Sequence, residues 1–177
     1  MKTCALVIGH KKNSPGAVNE RRKLTEFTFN EALASEIERA VVGVNIQRVY
    51  RRTYTSLPDD LNELDPDFIL SLHCNAFNKS ASGTEVLYYH RSALGRQMAE
   101  ILQQQLVYAL DLPNRGVKPK NSEDRGGYLL QKTYAPCLIA EPFFIDNDQD
   151  LEVASTHYSA LIDAYARGIE EMAELIS

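Results

Sequence analysis

Cysteine is scarce in this 177-residue chain: Cys4, Cys74 and Cys137 are odd in number and far apart, and none belongs to a C-x-x-C pair. That excludes a disulfide framework and a cysteine-rich zinc site, and the three thiols read as reduced, largely buried side chains. No block of Lys or Arg is long enough to follow a phosphate backbone, and the net charge is −5 with a pI of about 5.4. Nucleic acid is therefore not an expected partner, and an uncharged or cationic substrate fits the overall balance better. No apolar run approaches the roughly 20 residues of a membrane span, so no membrane insertion is expected. Charged Lys11-Lys12 cuts the first apolar run short of a signal-peptide core, and the chain as written is expected to be made in the cytoplasm and to act elsewhere only after release or export by another factor. It contains no internal repeat or low-complexity segment. Its length suits one domain, residues 1–177, able to bury a core without cross-links.

The apolar patterning predicts alternating strands and helices. Thr3 to Gly9 is nearly continuous in apolar character, as in a central strand covered on both faces. His10 to Lys23 reads as a long polar loop with turn chemistry at Asn13-Ser14-Pro15-Gly16, and its length favours a functional role. Thr25 caps a helix reaching about Val42, with Phe29, Leu33, Ile37 and Val41 along one face. Further strands are expected over Val44–Arg51, Phe68–Leu72, Gly83–Tyr89 and Cys137–Glu141. Further helices are expected over Ser56–Leu64 and Ser92–Ala109, and from Ser155 or Thr156 to about Met172, which puts His157 in a first helical turn. Leu112 to Gly127, with two prolines and three glycines, reads as an irregular loop bordering a cleft. The sum is an α/β domain: a mostly parallel, twisted sheet of about five to six strands with helices on both faces.

Three of the apolar runs end in a residue able to bind a metal or move a proton. Ala5-Leu6-Val7-Ile8 leads into Gly9-His10, Phe68-Ile69-Leu70 into Ser71-Leu72-His73, and Cys137-Leu138-Ile139 into Ala140-Glu141. In a parallel sheet the carboxyl ends of strands share one edge, where ligands bind. Hydrolytic zinc keeps three protein ligands and a water, and two histidines with one carboxylate are a common set. His10 and His73 supply the imidazoles. Glu26 is the better carboxylate, because the first turn of a helix favours negative charge and holds it rigidly; Glu20, among Arg21, Arg22 and Lys23, is the weaker alternative. Glu141 is left for acid–base work, with burial raising its pKa and a nearby zinc lowering it. A single histidine at a strand end is more often structural, but the joint pattern reverses those odds; His90 and His157 lack that support. Cys74, adjacent to His73 in a strand, points to the opposite face and belongs to packing.

In order and spacing these residues resemble the zinc-dependent N-acetylmuramoyl-L-alanine amidases, peptidoglycan-cutting enzymes with a Rossmann-like α/β fold. The matching pieces run over nearly the whole chain: Gly9-His10 with Ser14-Pro15-Gly16-Ala17, Glu26 with Phe27-Thr28-Phe29-Asn30, and Ser71-Leu72-His73-Cys74-Asn75-Ala76. They continue through Gly83-Thr84-Glu85-Val86, Asn114-Arg115-Gly116-Val117-Lys118, Ala135-Pro136-Cys137-Leu138-Ile139 and Glu141-Pro142-Phe143-Phe144-Ile145-Asp146-Asn147. Val7-Ile8 stands where the family usually has Asp-Pro, and Pro142 or Phe143 where it commonly has glycine. The resemblance implies that His10, Glu26 and His73 hold one zinc ion. It also implies that Glu141 is the catalytic carboxylate in hydrolysis of the amide between the lactyl group of N-acetylmuramic acid and L-alanine. Peptidoglycan is then the partner. Asn75 and Arg115 are candidate substrate contacts; Lys118 and Arg125 could also hold stem-peptide carboxylates, and Tyr88, Tyr89 and Tyr128 could form a wall for sugar or peptide. With no leader or wall-binding domain in the sequence, a lysis enzyme of phage or prophage origin is expected. The alternatives are a non-catalytic peptidoglycan-binding or phage structural module, or another zinc hydrolase such as a peptidase or deacetylase.

Overall fold

The computed structural model describes residues 1–176. Its centre is β1 (Lys2–Ile8), with β4 (Val44–Tyr50) parallel on one side and β5 (Phe68–Leu72) parallel on the other. Next to β5 lies β8 (Cys137–Glu141), again parallel. The four carboxyl ends therefore fall along one edge. β6 (Thr84–Tyr89) then runs antiparallel to β8, and β7 (Asn114–Lys120) pairs parallel with β6, giving the order β4-β1-β5-β8-β6-β7. The reversal brings the amino ends of β6 and β7 to the same edge, so that Glu85 lies opposite Glu141.

The alternation of side chains along the strands builds two unequal covers. Cys4, Leu6, Ile8, Phe68, Leu70, Leu72, Leu138 and Ala140 meet the larger cover, formed by α1 (Glu26–Ala40), α3 (Ala93–Leu110) and α6 (Tyr158–Leu175). Ala5, Val7, Ile69, Leu87, Cys137 and Ile139 meet the smaller one, Leu57 and Leu61 of α2 (Leu57–Leu64) with Leu129 and Leu130 of α4 (Gly127–Lys132). Six-residue α4 and eight-residue α2 cannot cover a whole sheet face. His73 and Glu141 continue the alternation onto this thinly covered face, whereas Cys74 packs in the larger core. No helix among the described residues is long and apolar enough to cross a membrane.

Three expectations are corrected. Leu112–Gly127 is not an irregular loop throughout, because Asn114–Lys120 forms edge strand β7. An edge has a side without partner, which tolerates Pro119, and a register shift after Thr84 leaves Arg115 as the extra residue of a bulge. The polar segment after His10 contains a two-strand ribbon, β2 (Val18–Asn19) with β3 (Leu24–Thr25). The C-terminal helix is two helices, α5 (Asp148–Thr156) and α6, and His157 stands at their joint rather than in a first turn. The stronger cap signal was Asn147, whose side-chain oxygen accepts from the backbone N–H groups of Gln149 and Asp150. Ser155 instead donates to the carbonyl of Leu151 within the helix.

Asp150 fastens the segment that follows Glu141. Only 1% exposed, it accepts from the Ser82 hydroxyl, from the Gly83 N–H at 3.1 Å and from the Phe144 N–H at 3.0 Å. Asp150→Ala leaves those buried donors without partners and is expected to destabilise the fold by about 3 kcal/mol in chemical denaturation. A change under 1 kcal/mol would mean that the two loops are held by other contacts.

Candidate metal centre

The site is built where β1, β5 and β8 end. The Gly9 N–H donates to the Leu72 carbonyl and the His73 N–H to the Ala140 carbonyl, both at 3.0 Å, which carries the ladder one step past the strands and fixes both histidines relative to each other. Close packing here depends on missing side chains. A Cβ on Gly9 would lie 2.7 Å from Cε1 of His73, and one on Gly16, whose φ is +79°, would lie 2.5 Å from Oε2 of Glu26 and 2.6 Å from Cδ2 of His10. His10 itself has φ of +66°, a left-handed conformation costing a non-glycine residue about 1–2 kcal/mol. The rings of His10 and His73 meet edge to face with centroids 5.2 Å apart.

Glu26 enters this corner from the first turn of α1, whose cap Thr25 accepts from the Thr28 N–H. It is 0% exposed. Oε1 accepts from Nδ1 of His73 at 2.9 Å and from the Cys74 N–H at 3.0 Å; Oε2 accepts from the Ala17 N–H at 3.0 Å and lies 3.1 Å from Nε2 of His10. Burial pushes the carboxyl up, but the two facing imidazoles outweigh it and hold it well below the usual carboxylate range. One ligand atom from each of His10, Glu26 and His73 falls within 4.8 Å of the others. Nε2 of His10 is buried and, despite its proximity to Glu26, makes no hydrogen bond of acceptable geometry among the described residues. Two histidines, one of them with an orphaned imidazole nitrogen, and one ionised carboxylate make a donor set that fits a divalent ion such as zinc. Glu20, the alternative carboxylate, is exposed and faces Lys79 at 3.4 Å. Burial pushes the Cys74 thiol well above its ordinary pKa, which disfavours the thiolate that a metal would need.

Glu141 ends β8 at 8% exposure. Burial raises its pKa, the neighbouring charge of His73 opposes this, and Glu85 adds to the rise. Glu85 is itself held by Asn75 Nδ2 and Arg115 Nε, each donating at 2.9 Å, while the Arg115 guanidinium sits 5.0 Å from the Phe144 ring centroid. Asn75 and Arg115, the two candidate substrate contacts, are thus gathered on Glu85 beside the site. Lys118 lies in β7 opposite Leu87, Tyr88 is buried in the larger core, and Tyr89 stacks edge to face with His90. The structure brings in two residues that were not singled out from the sequence, Glu85 and Arg51. Glu85 needed the antiparallel reversal to be placed. Arg51 follows β4, a strand parallel to β1, so its place at the common edge was readable; its Nη2 lies 3.5 Å from Nδ1 of His10.

From this corner a cleft of about 390 Å³ opens over the thinly covered sheet face, bounded by His10, His73, Glu141, Arg51, Arg125 and Tyr128.

Comparison with known proteins agrees with this picture. YqiI of Bacillus subtilis (strain 168), an uncharacterized protein, is 32% identical over 96% of this chain and 84% of its own length. An uncharacterized cell wall amidase of Bacillus anthracis is 31% identical over 117 residues; the match takes in 56% of this chain but only 21% of that much longer relative. The catalytic domain of CwlV, an N-acetylmuramoyl-L-alanine amidase from Bacillus (Paenibacillus) polymyxa var. colistinus, superposes with a TM-score of 0.85 over 98% of this chain and 99% of that one, at 20% identity, a likeness of fold. The family profile described as N-acetylmuramoyl-L-alanine amidase matches residues 4–171, almost the entire α/β unit from β1 into α6, and on that match the chain belongs to the N-acetylmuramoyl-L-alanine amidase family.

Proposed function

We propose that the chain is a zinc-dependent hydrolase of the amide between the lactyl group of N-acetylmuramic acid and L-alanine in peptidoglycan. The observation that carries this is the convergence of His10, Glu26 and His73 to within 4.8 Å at the strand edge that also carries buried Glu141. Those three residues would hold the ion, which when bound supplies Lewis acidity to the scissile carbonyl and lowers the pKa of a water toward about 7. Glu141, at the end of β8, takes the proton as the water adds to the carbonyl carbon. It returns that proton to the amide nitrogen as the C–N bond breaks, leaving a lactyl carboxylate and a free L-alanine amine. The phage or prophage origin expected from the sequence goes with this proposal.

The test is incubation of the purified protein with peptidoglycan, with and without chelator, followed by mass spectrometry. New amino termini at L-alanine, no new reducing sugar ends and loss of cleavage with chelator are expected. An unchanged wall in the presence of zinc refutes the reading.

A further inference from the structure

We infer that the cleft beside the metal centre is a subsite for an anionic stem peptide, with Arg51 and Arg125 receiving the free carboxylate of the residue after L-alanine. This rests on the amidase reading and names the part of the substrate that the cleft recognises.

The chain's net charge of −5 favours an uncharged or cationic ligand, but the local balance is different. Several arginines are matched to carboxylates, Arg52 to Asp60, Arg115 to Glu85 and Arg48 to Glu38 among them. Arg51 and Arg125 both line the cleft, and neither has an ion-pair partner among the described residues. Arg51 has a 3.5 Å polar contact with His10 and lies 5.7 Å from the Tyr54 ring centroid. Arg125 acts on Glu141 by charge alone, as Arg51 does on Glu26, so both guanidinium groups keep their donors free to meet a carboxylate in charge and in hydrogen-bonding geometry. Of the acidic groups at the cleft, Glu141 is hydrogen-bonded to neither arginine among the described residues, Asp124 accepts from the Asn121 N–H, and Glu123 is exposed.

A second feature points the same way. Ser71 is 1% exposed, lines the cleft from β5 and has no hydrogen-bond partner for its hydroxyl among the described residues. A buried hydroxyl without a partner costs free energy unless a ligand completes it, and a peptide amide does so. Around it Val7, Leu57, Leu87, Leu129 and Ile139 form an apolar floor. A cleft of about 390 Å³ with an apolar floor accepts a short peptide branch, with the L-alanine methyl on the apolar side chains.

The test uses two soluble muramyl peptides identical except that the second residue carries a free carboxylate in one and a carboxamide in the other. Wild type is expected to favour the carboxylate form at least about tenfold in kcat/KM, mainly through KM. Arg125→Gln is expected to collapse that preference to within about twofold, and Arg125→Lys to retain part of it. Calorimetry with the corresponding free peptides decides independently of turnover: tighter binding of the carboxylate form by wild type, lost in Arg125→Gln, is expected. Hydrolysis or binding that ignores the carboxylate in wild type, or a preference that survives in Arg125→Gln, overturns the subsite while leaving the amidase reading in place. Selective binding without hydrolysis of either peptide keeps the subsite and overturns the amidase reading.

Discussion

Glu141→Gln is expected to slow peptidoglycan hydrolysis on the order of a thousandfold while leaving zinc content unchanged. Glutamine keeps the shape but cannot take a proton from water, and Glu141 lies outside the His10, Glu26 and His73 cluster. The pH profile separates loss of a base from loss of structure. The acid limb of kcat/KM, where Glu141 must be ionised to act as base, should vanish in the residual activity of the variant. The stability effect has a definite sign. With the folded pKa raised, ionising Glu141 costs stability increasingly as pH rises from the unfolded to the folded value, so in metal-stripped protein Glu141→Gln should melt at a higher temperature than wild type near neutral pH. Hydrolysis by Glu141→Gln at the wild-type rate removes Glu141 from the mechanism.

How much of this was legible beforehand differs by residue. The strand ends at His10, His73 and Glu141 could be read because each follows a buried apolar run, and a run buried on both faces stops where polar chemistry begins. Glu26 could be read from its cap, since Thr25 marks the helix start and the first turn favours a carboxylate. Glu85 could not. Its position follows from the antiparallel pairing of β6 with β8, a choice of neighbour that strand composition does not encode. β7 was hidden because Gly116, Pro113 and Pro119 are loop-like locally, and only edge placement makes them acceptable in or beside a strand. The cleft was equally hidden: it exists because α2 and α4 are short, and Arg51 and Arg125 come to share its lining only through the fold.

Glu26→Gln is expected to weaken zinc binding at least about a hundredfold and also to lower the melting temperature, because one carboxylate serves both metal and fold. Each oxygen of Glu26 faces one backbone N–H and one imidazole: Cys74 and His73 on Oε1, Ala17 and His10 on Oε2. A glutamine must turn its amide nitrogen toward one of those N–H groups, setting donor against donor in a fully buried place at about 1–3 kcal/mol. It also withdraws the charge that favours the first turn of α1, up to about 1 kcal/mol more. For a chain of this size the sum corresponds to a fall of roughly 2–16 °C. The Glu26 carboxyl is held below its ordinary range in the folded state, so its contribution is present above the unfolded pKa and lost as pH falls through the folded one, and wild type and variant should converge in acid. Glu20→Gln is the matched control. Glu20 is exposed and touches only Lys79 in an ion pair, so its amide should leave zinc content and melting temperature unchanged. A Glu26→Gln protein that keeps full zinc while Glu20→Gln loses it would move the carboxylate ligand out of α1 and into the loop before it.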